Sequence, residues 1–404
     1  MALLETKRSK FAQHLLFLLP AVIVVSPPLT SLFEVAIYFL FFITPELRRR
    51  FTSILSQPMV ISGLAFCLLI VLSSLWSDAP WEEKSRHIIS WRKIFLLPIA
   101  ASLLYNSELK QRFLLTFIIS IGVFATISWL GYLFSLELPN PPNSLLRNHS
   151  TQGVIFSVAI FSAIALLFHA KNLTPKIKLA LTIAGLIILT NYFFISTSRS
   201  GYVAGLILAI CIVLYSGKKR IIFFVPIVCL VFASILYFSP TPHAQIKKVW
   251  TEITNIDNSQ ELTSSGARIV FWKNTIPIIK NAPPAGHGLK SMSLEYEKQI
   301  KNQTGWKSTI TRDPHNQYLL ILVEQGIIGL IVFILFVFFC FKQKTEKIYM
   351  HIGRSILLVW LGTSMFNGHF SASVEGKFIF LWCGAMLAQL ATTKTATQEA
   401  LRQT

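Results

Sequence analysis

Three short segments of the chain contain residue types that could bind phosphate or move a proton. They read Thr197-Ser198-Arg199-Ser200-Gly201, Ser265-Gly266-Ala267-Arg268-Ile269-Val270-Phe271-Trp272, and Asp313-Pro314-His315-Asn316-Gln317-Tyr318-Leu319. Arg199, flanked by small residues at a predicted tight turn, is well placed to grip a phosphate through two hydrogen bonds. His315 stands where a long loop enters a helix, and imidazole is the side chain best suited to accept a proton near neutral pH.

Each segment also has a purely structural interpretation. Arg199 could be an interfacial cation with its aliphatic stem along a helix, and His315 could be a hydrogen-bonded structural residue. Arg268 and Trp272 lie four residues apart, on one face of a helix predicted over about 267–279, which could lie on a membrane surface. Pro277 is expected to bend or end that helix. These alternatives stay open at the level of single residues.

A fourth segment follows His315 and reads Glu324-Gln325-Gly326-Ile327-Ile328-Gly329. An ionisable group inside an apolar helix is a functional candidate by default, but packing between helices is an equal explanation for Glu324. It lies nine residues after His315, which on one helix would place the two side chains on roughly opposite faces and roughly 13 Å apart along the axis, and this argues against direct pairing. We therefore treat Glu324 as a supporting residue.

The composition excludes a water-soluble globule. Hydrophobic residues make up 53% of the chain and charged residues 14%, and the mean hydropathy is +0.58. Against 32 Phe there are only three Asp, which argues against a metal site built from clustered carboxylates. The net charge of +19 lies in small basic groups between apolar runs, a spacing that indicates membrane topology and not nucleic-acid binding.

The elements that must position these residues are membrane helices, each needing roughly 17 to 25 apolar residues. About twelve such spans are predicted: 11–27, 29–45, 57–76, 88–105, 113–135, 151–169, 179–197, 200–216, 221–238, 317–341, 348–366 and 377–391. Basic residues fall on alternate connections, which predicts that both termini are cytoplasmic. The fold class is thus all-α, with three parts: helices within 1–238, a long, partly helical loop over 239–316 on the non-cytoplasmic side, and helices plus a short cytoplasmic tail over 317–404.

Taken in order, these motifs resemble one known superfamily. Ser-Arg-Ser-Gly at 198–201, Gly-Ala-Arg with Trp272 and the later Pro-Pro-Ala-Gly-His-Gly, and Pro-His-Asn-x-Tyr-Leu with Glu-x-Gly-x-x-Gly are similar to the motifs of O-antigen ligases, O-antigen polymerases and bacterial protein O-oligosaccharyltransferases. The motifs lie between about 197 and 330, and the predicted topology resembles that of the superfamily over the whole chain.

The resemblance implies an all-helical glycosyltransferase of the C type that inverts the anomeric centre without a metal or other cofactor. The donor would be O-antigen polysaccharide on undecaprenyl diphosphate, and the acceptor a sugar hydroxyl of the lipid A core, at the periplasmic face of the bacterial inner membrane. By motif, Arg199 and Arg268 would bind the diphosphate and His315 would orient or deprotonate the acceptor. Ser198, Trp272, Asn316, Tyr318 and Glu324 would support them.

Within the superfamily, the O-antigen ligases are the best match in size and in the long loop before the His motif. A polymerase would use the same lipid-linked donor and remains an alternative. Protein-modifying members usually carry a longer C-terminal extension, so they are a weaker match. A transporter is the main rival from another class, but it should show repeated halves with broken helices near the midplane, and no such repeat is visible.

Overall fold

The computed structural model describes residues 6–135, 149–170, 172–215, 221–256 and 263–388. Within these ranges the chain forms helices and turns, with no β-strand. The all-α prediction is therefore confirmed for this part of the protein. The predicted C-terminal tail and the last residues of the predicted span 377–391 lie outside the described residues.

Eighteen α-helices follow one another along the described residues. In chain order they are α1 Lys7–Val25, α2 Pro27–Ile43, α3 Pro45–Leu55, α4 Pro58–Leu72, α5 Trp81–Ser90, α6 Leu96–Leu103, α7 Ser107–Leu133, α8 His149–His169, α9 Pro175–Phe194, α10 Arg199–Tyr215, α11 Ile221–Phe238, α12 Pro240–Thr254, α13 Ser264–Lys280, α14 Met292–Ile300, α15 Gln317–Glu324, α16 Gly326–Lys342, α17 Lys347–Thr363 and α18 Ser373–Leu387.

Five helical segments are long and apolar enough to cross a membrane, or up to seven if each of two bent pairs is one span. The five are α1, α4 with its 3-10 extension to Leu75, α7, α8 and α9. The bent pairs are α2 with α3, at 98°, and α11 with α12, at 92°. The chain is thus a multi-pass membrane protein by the length and composition of its helices, but the predicted count of about twelve spans is not confirmed.

Several predicted spans are interrupted or short, which explains the lower count. The span predicted over 88–105 consists of α5, a 3-10 helix from Trp91 to Phe95, and α6. The span predicted over 317–341 breaks at Gln325, between α15 and α16. Broken helices are tolerated at membrane depth where neighbouring protein satisfies the freed backbone groups.

The helices pack around one large apolar core, in which α10 lies against α8 and α17, α18 against α6, and α16 against α4. Large apolar side chains also cover the outside of the molecule: Leu75, Phe42 and Phe238 are 79%, 75% and 80% exposed. An exterior of this kind requires an apolar solvent. It supports the same assignment as the helix lengths, namely a protein surrounded by lipid.

Helices α8, α10 and α17 pack side by side and share two common ends. At one end, Ser150 near the start of α8 donates to Ser200 in the first turn of α10, at 3.1 Å. Asn367, just after α17, donates to the same Ser200 oxygen at 3.3 Å. Because α8 has 21 residues, its opposite end lies about 30 Å away.

Candidate functional site

Arg199 is the first residue of α10, and a glycine contact fixes where it stands. A Cβ atom on Gly201 would lie 2.8 Å from the Cα of Gly153, so the glycines let α10 approach α8 closely. The fully buried Ser198 donates to the Ser150 carbonyl at 3.0 Å, and its oxygen accepts the Gly201 amide at 2.9 Å. The Ser-Arg-Ser-Gly motif is therefore a tightly packed helix start that projects one guanidinium group.

The guanidinium group of Arg199 is bound by three side chains. Its Nη1 donates to Glu252 Oε2 at 3.1 Å and to Ser265 Oγ at 2.9 Å, and its Nη2 donates to Glu252 Oε1 at 3.2 Å. Its Nε donates to Gln245 Oε1 at 3.3 Å. The paired carboxylate of Glu252 is nearly buried, at 7% exposure, whereas Arg199 keeps 26%. Arg199 thus holds an anionic group bidentately, as the sequence predicted for a phosphate, but the anion here is a protein carboxylate.

The start of α13 forms the other wall of this anion site. The Ser265 amide donates to Glu252 Oε2 at 3.0 Å, and the cap residue Thr263 accepts the Gly266 amide at 3.2 Å. The N-terminal end of a helix carries unpaired amides and partial positive charge, which favour an anion. Glu252 therefore occupies a position that a phosphate oxygen could take.

Arg268 lies one turn further along α13 and is bound by neutral acceptors. Its Nη1 donates to Ser264 Oγ at 2.9 Å and to the Ser264 carbonyl at 3.2 Å, while its Nε donates to the Phe366 carbonyl at 3.1 Å. Arg199 and Arg268 are thus bound to the consecutive residues Ser265 and Ser264. Burial, followed by the charge of Arg199, lowers the pKa of Arg268, so the two cations share one electrostatic neighbourhood.

His315 lies within electrostatic reach of Arg268, in a strained turn. Its φ of 54° is in the left-handed region, its amide donates to Asp313 Oδ1 at 2.8 Å, and its ring stacks on Phe271 at 6.1 Å. Burial lowers the pKa of His315; the Asp313 carboxylate opposes the shift and the Arg268 charge adds to it. The imidazole is therefore neutral near pH 7, which is the form that can accept a proton.

The predicted supporting residues hold this turn and its helix in place. Trp272 Nε1 donates to the Pro314 carbonyl at 2.9 Å. Asn316 caps α15 by accepting the amides of Tyr318 and Leu319, at 3.0 and 3.1 Å. The Tyr318 hydroxyl donates to the Leu361 carbonyl of α17 at 2.7 Å. Each of these contacts fixes the backbone on one side of His315.

Glu324 belongs to a separate region, where the break between α15 and α16 packs against the turn over 281–288. Its carbonyl accepts the Gly288 amide at 2.9 Å, and the Val323 carbonyl accepts the His287 amide at 2.8 Å. Gly326, at φ 65°, has no room for a side chain, because a Cβ would lie 2.1 Å from the Pro284 carbonyl oxygen. The Pro-Pro-Ala-Gly-His-Gly and Glu-x-Gly motifs therefore pack against each other, and Glu324 belongs to that packing.

Two further elements complete the site and were not predicted. Glu252 and Gln245 of α12 bind Arg199, and the turn between α17 and α18 supplies the Phe366 carbonyl to Arg268. A Cβ atom on Gly368 in that turn would lie 2.7 Å from Asp313 Oδ2. The available signals were weak: Glu252 is one of several acidic residues in the long loop, and a turn that contains Ser, Asn and Gly follows an apolar helix.

Two outcomes were expected at Pro277, a bend or an end of the helix, and the structure excludes the end. Helix α13 continues through Pro277 to Lys280 and does not end at the proline. Pro277 lies in the last turn of α13, far from the arginine-bearing first two turns. Pro277 therefore does not affect the first two turns of α13, which carry Arg268.

A comparison with known proteins finds a match over the part of the chain that contains the candidate site. A family model described as "O-Antigen ligase" matches residues 184–334. This range contains Arg199, Arg268, His315 and Glu324 together with the motifs around them. An uncharacterised protein of Haemophilus influenzae is 26% identical over 315 residues, which cover 75% of this chain and 76% of that protein. The family match thus supports, over residues 184–334, the resemblance seen in the motifs to the O-antigen ligase superfamily, whose members are glycosyltransferase-like membrane enzymes.

Proposed function

We propose that this protein is an O-antigen ligase of the bacterial inner membrane. It would transfer O-antigen polysaccharide from undecaprenyl diphosphate to a sugar hydroxyl of the lipid A core, at the periplasmic face, with both termini in the cytoplasm. The observation that carries the proposal is the joint binding of Arg199 and Arg268 to the start of α13, with His315 within electrostatic reach of Arg268.

The two arginines suit the leaving group of such a reaction. When the bond between the anomeric carbon and the diphosphate oxygen breaks, the bonding electrons stay with undecaprenyl diphosphate, which gains negative charge. Fixed guanidinium groups stabilise that charge more in the transition state than in the ground state. In this proposal they take the role that a divalent metal has in other transferases.

His315 suits the acceptor side of the same step. The acceptor hydroxyl oxygen forms the new bond to the anomeric carbon from the face opposite the diphosphate, which inverts that centre. Its proton passes to the neutral imidazole, whose lowered pKa keeps it unprotonated near pH 7. The neighbouring Asp313 carboxylate would stabilise the imidazolium that forms.

The first test is genetic, in the strain that encodes the protein. After deletion of the gene, a ligase defect leaves lipid A with core only, while polymer accumulates on the lipid carrier. A polymerase defect leaves core that carries a single repeat unit. Electrophoresis of lipopolysaccharide separates these outcomes, and a deletion strain with a normal polysaccharide ladder would refute both assignments.

The second test assigns roles by complementing the deletion with variants. His315→Ala and Arg199→Ala should each lose transfer, by at least about 100-fold, because each removes a group that acts in the transition state. The matched controls are His287→Ala and Arg312→Ala, since His287 lies near Glu295 and Arg312 pairs with Glu83. Both controls should keep the polysaccharide ladder.

Membrane fractionation must show that all four variants insert at wild-type level. Under that condition, wild-type transfer by His315→Ala and Arg199→Ala would refute the assigned roles. Equal loss in the controls would show that this region needs only intact packing.

A further inference from the structure

A cavity of about 600 Å³ lies between α8, α10 and α17, at the end of these helices opposite to the arginines. His169 ends α8, Tyr215 ends α10 and Lys347 begins α17, and all three line the cavity. Arg199 begins α10, so the two places lie at opposite ends of the same helix. The cavity is therefore distinct from the candidate active site.

One part of the cavity wall is basic and aromatic. Lys347 Nζ lies 5.5 Å from the centre of the Tyr215 ring, and that ring contacts His351 and His169 edge-on, at 4.2 and 4.5 Å. This wall is complementary to an anion that can accept several hydrogen bonds.

The rest of the wall is apolar and opens toward the outside of the molecule. Phe161, Ile164 and Ala165 of α8 form it on one side and Ile352 of α17 on the other. At the rim, Phe168 and Ile212 are 78% and 39% exposed. In a protein surrounded by lipid, an opening of this kind faces acyl chains, not water.

We infer that this cavity binds an anionic phospholipid of the adjacent leaflet. The phosphate would lie on Lys347, His351 and His169, and an acyl chain would run along the apolar wall. Basic pockets between membrane helices on the cytoplasmic side are suited to lipid head groups. A soluble phosphate compound would leave the apolar wall unfilled, so the lipid fits both parts of the cavity. This inference rests on the proposed function, in which the arginines face the periplasm and Lys347, at the opposite ends of the helices, is therefore on the cytoplasmic side.

The test measures lipid binding to the full-length protein purified in detergent. Native mass spectrometry compares phosphatidylglycerol with phosphatidylcholine of the same acyl chains. We expect phosphatidylglycerol to bind at least about fivefold more tightly, since one lysine near an anionic lipid contributes about that factor. Equal binding of the two lipids would overturn the proposal.

Matched variants locate the binding. Lys347→Ala should weaken phosphatidylglycerol binding about fivefold. Lys342→Ala, a lysine near the same end that lies over the Phe338 ring and does not line the cavity, should leave it unchanged. Equal weakening by the two variants would indicate general surface attraction and would refute the site.

A second pair of measurements separates the lipid from its head group. Ile212→Trp fills the apolar side at an exposed position and should weaken both phospholipids while the protein stays monodisperse. Inorganic phosphate should fail to displace phosphatidylglycerol. Displacement by phosphate, or unchanged lipid binding in Ile212→Trp, would overturn the assignment of a phospholipid to this cavity.

Discussion

The two ends of α8, α10 and α17 both hold basic side chains, but the surroundings of these side chains differ. At one end, hydrogen bonds from Arg199 and Arg268 reach Glu252, Gln245, two serine side chains and two backbone carbonyls. At the other end, Lys347 lies over an aromatic ring at the rim of a cavity. The first arrangement fixes the direction of each charge, whereas the second leaves room for a ligand of variable shape.

This difference matches the two proposed uses of positive charge in the protein. Stabilising a leaving group requires donors that are already aimed before the reaction, because reorganisation at the moment of bond breaking costs free energy. Holding a lipid requires only a cation next to an apolar wall. Variants at the two ends should therefore affect different measurements.

The largest expected effect comes from Arg268. Arg268→Ala should lower transfer by about 100- to 1000-fold, the usual loss when one preorganised donor is removed. Lys347→Ala, at the other end of the bundle, should change transfer less than about twofold while it weakens lipid binding. The measurement is polysaccharide transfer from lipid-linked donor in membranes with equal amounts of each variant.

Arg268→Lys sharpens this prediction. Lysine keeps the charge but cannot contact Ser264 and the Phe366 carbonyl with one planar group. Its activity should stay closer to that of Arg268→Ala than to wild type. Full activity in Arg268→Lys would mean that charge alone matters and would remove the contrast between the two ends.

The sequence predicted the parts of this site that depend on local order. The apolar runs predicted helices α8 to α11 and α17. The motifs identified Arg199, Arg268 and His315, with their flanking residues, as candidate site residues. It did not predict Glu252 or the turn that contains Phe366, because they reach the arginines only through packing of segments 53 and 98 residues apart. The hydrophobic periodicity within a segment carries no information about contacts between distant segments.

The positions of the breaks in the helices could not be predicted from the sequence either. The run over 317–341 is apolar enough for one span, yet it breaks because Gly326 adopts φ 65° against the Pro284 carbonyl. The glycine and the two prolines are visible in the sequence, but their contact is not.

The second prediction concerns pH and the neutral state of His315. Because its folded pKa lies below the ordinary value of 6.5, transfer should stay on its plateau down to that pH and fall only below it. Further down, the rate should drop about tenfold per pH unit as the imidazole becomes charged. The same shift contributes stability above pH 6.5, which is lost as the pH falls through the folded value.

The measurement is the initial rate of transfer across the acid range, with the residual activity of His315→Gln as control. In that variant the acid limb should vanish from the profile. An acid limb that begins above pH 6.5 in the wild type, or that persists in His315→Gln, would assign the titration to another group.

The smallest effect is expected at Glu252, whose carboxylate occupies the anion site of Arg199. Glu252→Gln keeps the shape and one acceptor but removes the charge that competes with a phosphate. Because the pair is partly exposed, the apparent KM for the lipid-linked donor should fall by only about two- to fivefold, with kcat little changed. Glu297→Gln, an exposed carboxylate of the same loop, removes the same charge without contacting Arg199 and should leave KM unchanged. A rise in KM, or a large loss of kcat in Glu252→Gln alone, would show that Glu252 is needed to aim Arg199 and does not stand in for the donor.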